Sequence, residues 1–375
     1  MAGIYIHMPF CKSKCRYCDF PSFAGISLGR QAAYGKALQR EIRDFAQKQP
    51  ERLKAETIYI GGGTPSIVDA EQIDGVLAVI QRYFEVDDKA EITLEANPES
   101  MTPQKAKAYR KMGINRISMG LQAAQDRLLK TLGRPHTLAD FDTALTYLCD
   151  AGFDNLSADL MFGLPGQHLE DVAQSVEHLT AFPVIRHLSC YSLKIEEGTP
   201  FAAMAAAGKL DLPDEDDERA MERLIHQKLE IAGLMQYEIS NYAIPGFESR
   251  HNSRYWTMDD YVGFGLGAAS YYNNTRWTNT FSFEAYLEKT PVPKAECHVL
   301  SAEEARGDFM FLGLRRNRGV SDEAYRRLFG RSFFDDYAKA IGKLTTQGLL
   351  RQQDDSLLLT ERGRDLANQV FMEFV

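Results

Sequence analysis

The sequence predicts an α/β fold, a parallel sheet covered by helices, followed by a smaller winged-helix-like unit. Three observations predict it. Short β-rich runs alternate with helix-length amphipathic stretches six times through the first two thirds of the chain. The rhythm breaks after Gly198-Thr199-Pro200. Residues 301–375 then read as three helices, a hairpin and a closing helix. A repeated βα unit implies parallel strands with helices on the outer face. At 375 residues the chain exceeds the length at which one core stops growing, so more than one unit is expected.

The strands are expected at 3–7, 57–60, 91–96, 116–120, 155–161 and 187–193, where β-branched and aliphatic residues cluster. The helices between them are expected at 33–47, 70–83, 103–112, 125–132, 138–151 and 169–181, from their 3.6-residue apolar period. The acidic run Asp211-Leu212-Pro213-Asp214-Glu215-Asp216-Asp217 reads as the cap and first turn of a helix reaching about residue 231, because carboxylates favour a helix N-terminus. Further β signals lie at 237–242, and the C-terminal hairpin pairs 349–352 with 357–360 around Asp354-Asp355-Ser356. The expected division is 1–210 for the sheet-forming unit, 211–298 for a segment covering it, and 299–375 for the winged-helix-like unit.

The net charge of −9 argues against nucleic acid as a main partner. Residues 301–375 hold twelve Lys/Arg against twelve Asp/Glu, which disfavours DNA binding by that unit as well. There is no apolar run near the length of a membrane span. The start, Met1-Ala2-Gly3-Ile4-Tyr5-Ile6-His7, lacks the basic and long apolar regions of a signal peptide and reads as a buried strand. Six cysteines without a signal imply a reducing, cytoplasmic setting. Cys149, Cys190 and Cys297 are isolated and expected to be small buried residues.

The remaining three, Cys11, Cys15 and Cys18, follow the first strand in a CxxxCxxC pattern. Three thiolates can hold three irons of a 4Fe-4S cluster and leave the fourth iron open. In radical S-adenosylmethionine (SAM) proteins the amino and carboxylate end of SAM takes that open iron, which passes an electron to the sulfonium. A zinc site would need a fourth ligand, for which His7 is the nearest.

Polar residues end the successive strands. Gly61-Gly62-Gly63-Thr64-Pro65 follows the second, and its backbone can approach a ligand closely. Glu95 ends the third, suited to a ribose hydroxyl or a cation, and Gln122 ends the fourth. Arg134 suits the methionyl carboxylate. Asp159 interrupts an apolar strand, where a charge is costly unless it faces a ligand. The C-terminal ends of parallel strands converge on one face, so these residues are expected to share a site.

The cysteine motif, GGGTP, EANP, RISMGLQ, LGR and ADLMFGLPGQ, in this order, resemble the oxygen-independent coproporphyrinogen III dehydrogenase family of radical SAM proteins. The resemblance runs along essentially the whole chain. It implies an incomplete (β/α)6 radical SAM barrel with a C-terminal domain, a 4Fe-4S cluster on Cys11, Cys15 and Cys18, and SAM contacts from Tyr5, Tyr17, Gly62, Gly63, Thr64, Glu95, Gln122, Arg134 and Asp159.

Two departures separate this chain from the dehydrogenases it resembles. They carry a further cysteine two residues after the third, where this chain has Phe20, and an extended segment before the first strand, where this chain begins. Both features match the HemW-like heme-chaperone branch. His251-Asn252-Ser253-Arg254-Tyr255-Trp256 fits that branch's HNxxYW motif, associated with heme. Imidazole is a good axial ligand for heme iron, and Tyr255 and Trp256 offer flat apolar surface. Taken by itself, the same hexapeptide reads rather as a loop whose His and Asn bond the backbone while the aromatics pack. The resemblance thus implies heme delivery to an apo-hemoprotein, expected in the respiratory chain, with peripheral membrane association through that recipient. The alternative is oxidative decarboxylation of coproporphyrinogen III by a SAM-derived radical.

Overall fold

The computed structural model describes residues 1–375, the whole chain given. Its main sheet contains β1 (Ala2–Met8), β2 (Lys54–Gly62), β3 (Glu85–Ala96), β4 (Arg116–Gln122), β5 (Leu156–Phe162) and β6 (Ile185–Ser192). It continues with β7 (Met235–Glu238), β8 (Asn241–Ala243), β9 (Tyr261–Phe264), β10 (Ala269–Tyr272), β11 (Thr275–Asn279) and β12 (Lys294–Val299). The strand order is β12-β11-β10-β9-β1-β2-β3-β4-β5-β6-β8-β7. Strands β9 and β1 to β6 run parallel, and the strands outside them pair antiparallel.

The parallel strands alternate two kinds of side chain with a period of two, as a strand must. One face carries Ile4, Ile6, Ile58, Ile60, Leu94, Ile117, Met119, Leu160 and Leu188, all in the main apolar core. Five helices pack there, α1 (Leu28–Ala46), α2 (Ala70–Tyr83), α3 (Pro103–Lys111), α5 (Leu138–Asp150) and α6 (Leu169–Thr180), whereas α4 (Asp126–Leu132) buries Leu128, Leu129 and Leu132 in a separate cluster with Met161, Leu164 and Phe201. The other face reads Tyr5-His7 on β1, Thr57-Tyr59-Gly61 on β2, Glu91-Thr93-Glu95 on β3, Arg116-Ser118-Gly120 on β4, Ser157-Asp159 on β5 and His187-Ser189-Tyr191 on β6. This inner face is polar yet largely buried, which is the property that makes the inside of the sheet a site rather than a core.

Three sequence expectations change. The six parallel strands become seven, because β9 pairs with β1. It is only four residues long and contains Gly263, so it reads as part of a glycine-rich turn. A Cβ on Gly263 would lie 2.1 Å from the Ala269 carbonyl oxygen, so the close return of β10 requires glycine there. Residues 211–298, expected to cover the sheet, pack the helix Glu215–Ile231 onto the main core through Met221, Ile225 and Leu229, and also extend both edges of the sheet with β7–β8 and β9–β12. Cys149 and Cys297 are exposed, and Cys190 alone of the three is buried. Cys297 lies on β12, whose residues are exposed throughout.

The C-terminal segment forms helices Ala302–Leu314, Asp322–Phe329 and Ala338–Thr346 with a short turn of helix, Phe333–Asp336. Leu350–Gln353 and Ser356–Leu359 make the hairpin, and Val320–Ser321 joins its second strand to give a three-stranded sheet. A separate apolar cluster including Met310, Tyr325, Phe333, Leu344 and Val370 holds it together. No helix of the chain is long and apolar enough to cross a membrane.

Candidate cluster and cofactor site

The cysteine loop leaves β1 and is fixed at both ends and in the middle. Its ends close as a short parallel pair, Phe10–Cys11 with Phe23–Ala24. His7 donates from Nε2 to the Pro21 carbonyl (2.8 Å), and its Nδ1 accepts from the Tyr5 hydroxyl (3.0 Å). In the middle, the Arg16 N–H donates to the Leu132 carbonyl (2.9 Å) and the Phe201 N–H to the Arg16 carbonyl (3.0 Å). With both ring nitrogens engaged, His7 holds the loop and is not a fourth metal ligand.

The loop covers a cavity of about 380 Å³ at the C-terminal ends of the strands. Cys11, Cys15 and Cys18 line it, together with Tyr17, Gly62, Gly63, Thr64, Glu95, Gln122, Arg134 and Asp159. Eleven of the thirteen residues singled out from the sequence therefore meet in one place. Tyr5 lies below the cavity on the inner face, bonded to His7 and beside Tyr59.

His251 is the other exception. It is wholly buried, with Nδ1 at 2.8 Å from the Thr57 hydroxyl and Nε2 at 2.9 Å from the Tyr255 hydroxyl. It stacks on Tyr59 and sits at the start of the strands, the end opposite the cysteines. The expected axial ligand thus presents no free nitrogen. The reason is local: His251 opens the short helix Arg250–Trp256, whose N–H groups at 250 and 251 bond the Glu91 carboxylate and dock the helix under the sheet.

The donor set fits a cubane cluster. No three or more His, Cys, Asp or Glu side chains are gathered tightly enough around one point to hold a single metal ion. A 4Fe-4S cluster places its thiolates on separate irons, so spaced sulfurs suit it. Burial raises the Cys18 thiol above its usual value, and the neighbouring Cys15 and Cys11 raise it further. Arg134 Nη1 donates toward the Cys15 sulfur (3.5 Å), and the Thr64 hydroxyl lies 3.7 Å from the Cys11 sulfur.

The rest of the cavity fits the amino-acid and ribose parts of SAM. Gln122 Oε1 and Arg134 Nε are buried without a partner. Gln122 has φ of 68°, a left-handed conformation held at a strand end, where such strain accompanies function. Glu95 accepts from the Tyr59 hydroxyl (2.8 Å) and the Gly62 N–H (3.0 Å). Burial nonetheless pushes its carboxyl up to about 7, with the Asp159 charge adding to the rise. Burial raises Asp159 as well. Two carboxylates held this way favour a cationic ligand that donates hydroxyls.

The sequence did not single out Asn97, Ser118 or Tyr191, which also line the cavity. Asn97 joins the site's two sides, donating to Thr64 Oγ1 (3.0 Å) and accepting from Arg134 Nη2 (2.7 Å). It stands in the EANP motif, and that was its only signal. Gly63 carries a test. A Cβ there would lie 2.6 Å from the Phe10 carbonyl oxygen and 2.9 Å from the Cys11 sulfur. Gly63→Ala is expected to retain less than about half the wild-type iron after anaerobic reconstitution, because a contact under 3 Å displaces the Cys11 sulfur. Iron analysis equal to wild type would show that the loop gives way freely.

Known proteins are similar to this chain in sequence and in fold. Residues 5–179 match the Radical SAM superfamily and residues 300–366 the HemN C-terminal domain. Coproporphyrinogen III oxidase (HemN) from Escherichia coli superimposes with a TM-score of 0.87 over all of this chain and 89% of its own, at 21% identity, which shows the same fold. The heme chaperone HemW of Bacillus subtilis (strain 168) is 36% identical over 100% of this chain and 99% of its own. That of Lactococcus lactis subsp. lactis (strain IL1403) is 37% identical over 99% and 96%. A likeness that runs end to end through the cysteine loop, the strand ends and the C-terminal unit places the chain in one family with them: it belongs to the HemW family of radical SAM proteins.

Proposed function

We propose that this protein is a radical SAM-type heme chaperone that binds heme and passes it to an apo-hemoprotein. The observation that carries this reading is the end-to-end likeness to relatives named heme chaperone HemW. Phe20 supports it. It stands where the dehydrogenases of the wider family have a further cysteine, and its exposed ring lines the mouth of the cavity.

A 4Fe-4S cluster with an open iron supplies one electron to SAM when both are bound. Cys11, Cys15 and Cys18 would hold the cluster. Arg134, already fixed by Asn97, meets the methionyl carboxylate. Glu95 and Asp159 accept ribose hydroxyls and balance the sulfonium charge. Gln122 supplies the free acceptor for the amino group, Gly62, Gly63 and Thr64 present backbone to the same end, and Tyr17 closes one wall against water. The recipient we propose is a respiratory hemoprotein in the cytoplasm or at a membrane surface, reached through protein contact. Oxidative decarboxylation of coproporphyrinogen III is the reading that a negative heme result would favour.

Anaerobic heme titration of the reconstituted protein, followed at the Soret band, tests the proposal. Saturable binding at about one heme per chain is expected. His251→Ala is expected to change heme affinity by less than about threefold, because its nitrogens are bonded inside the protein. The same variant is expected to lose about 2–4 kcal/mol of stability through its cavity and unsatisfied partners. Lost heme binding in a His251→Ala protein of wild-type melting temperature would restore this residue as the ligand. Absence of binding by the wild type would remove the chaperone reading itself.

A further inference from the structure

Arg116 is a charged side chain at 1% exposure, among the largest fully buried residues of the protein. It lies on β4 two residues before Ser118 and four before Gly120, both of which line the cavity. A strand's side chains alternate, so Arg116 faces the same interior one layer lower, about 7 Å along the strand. Across the sheet it is in register with Thr93, which is two residues before Glu95. On the other side Ser118 pairs with Ser157, and its hydroxyl lies 3.5 Å from Asp159. By register Arg116 is thus one side-chain layer below Glu95 and two below Asp159, whose carboxylate reaches down to Ser118.

Its own bonding is incomplete. Arg116 Nε is buried with no hydrogen-bond partner, as is the hydroxyl of Thr93 beside it. A buried cation is costly unless a negative charge offsets it. The hydrogen bonds of Glu95 come from Tyr59 and Gly62, and those of Asp159 from Ser189 and Ser118, so Arg116 acts on both across space. Of the other titratable groups around it, Glu91 is a further carboxylate, one layer below on β3, and the rest are held neutral. His187 bonds Ser157 and Tyr237, and His251 bonds Thr57 and Tyr255; burial holds both imidazoles well toward the neutral form. Burial likewise raises the phenols of Tyr5, Tyr59, Tyr191 and Tyr237, keeping them neutral. Glu91, at the lower end of β3, is bonded by the N–H groups of residues 250 and 251.

We propose that Arg116 is a positioning residue for the SAM site: its buried guanidinium is the countercharge that Glu95 and Asp159 share from one side-chain layer below the cavity. The inference rests on the assignment of those two carboxylates to SAM. It goes beyond that assignment in giving the site a control over its charge that touches no ligand.

The sign follows from the charges. Removing Arg116 favours protonation of the carboxylates above it, so binding that needs them ionised moves to higher pH. SAM affinity of the reconstituted protein, measured by anaerobic calorimetry from pH 6 to 9, is the readout. In wild type it should rise with pH through about 7, where Glu95 ionises. In Arg116→Met the midpoint should rise by at least about one unit, giving roughly tenfold weaker binding near pH 7 and recovery near pH 9. Arg116→Lys should return the midpoint toward wild type, and Glu95→Gln should flatten the profile. Arg116→Gln serves if the methionine variant does not retain iron. An unchanged midpoint, or a loss equal at every pH, would overturn the proposal by leaving Arg116 a packing role. Absence of SAM binding in wild type at every pH would instead remove the carboxylate assignment, and this proposal with it.

Discussion

The Cys15→Ala protein is expected to purify without the broad visible iron–sulfur absorbance and with less than about one iron per chain, whatever the reconstitution. Two thiolates cannot hold three irons of a cubane, so one substitution removes the whole cluster. The change should leave the chain folded. The loop is pinned through the backbone of Arg16, the ring of His7 and the pair Phe10–Cys11 with Phe23–Ala24, none of which needs the Cys15 sulfur. Cys149→Ala is the matching control, since that thiol is exposed and outside the cavity. Full iron content in Cys15→Ala would take this residue out of the ligand set. Exposure of wild type to air should bleach the same absorbance, because the open iron lacks a protein ligand.

Glu95→Gln is expected to act in opposite directions on binding and on stability. Binding of SAM should weaken roughly hundredfold, the effect of two charge-assisted hydrogen bonds becoming ordinary ones, with iron content unchanged. The SAM-free protein should become more stable at pH 8, by about 1–3 kcal/mol. The folded carboxyl sits at about 7 against 4.5 for the free group. Between those values the folded state holds more protons than the unfolded one. Stability contributed by this group therefore falls as pH rises from 4.5 through 7, and the penalty is complete above that window. Glutamine removes the penalty, so the variant's melting temperature should exceed wild type at pH 8 and converge with it near pH 5. A variant destabilised at pH 8 with normal SAM affinity would make Glu95 a structural residue.

Much of this site is legible in the chain because it is written in contiguous motifs. Cys11, Cys15 and Cys18 need only their spacing. Gly62, Gly63, Glu95, Gln122 and Asp159 follow strand by strand, since parallel strands deliver their C-terminal ends to one face. The helix expected at 70–83 forms at Ala70–Tyr83, and that at 169–181 forms at Leu169–Thr180. These elements rest on local periodicity, which neighbouring residues suffice to set.

What the sequence by itself determined was the fold class, the strand and helix order and which residues line the cavity rim. The tertiary structure alone decided three things. It recruited Tyr261–Phe264 as a seventh parallel strand, because a four-residue run with a glycine carries no period of its own and pairs only when β1 offers an edge. It turned His251 inward, where Thr57 and Tyr255 take both nitrogens, a pairing across 194 residues in the case of Thr57 that no local pattern encodes. And it placed Arg116 below Glu95 and Asp159, although all three stand on different strands. Each depends on which side chains the closing sheet brings to its inner face. Distance in the chain does not measure distance across a sheet, and electrostatic partners are chosen by the second.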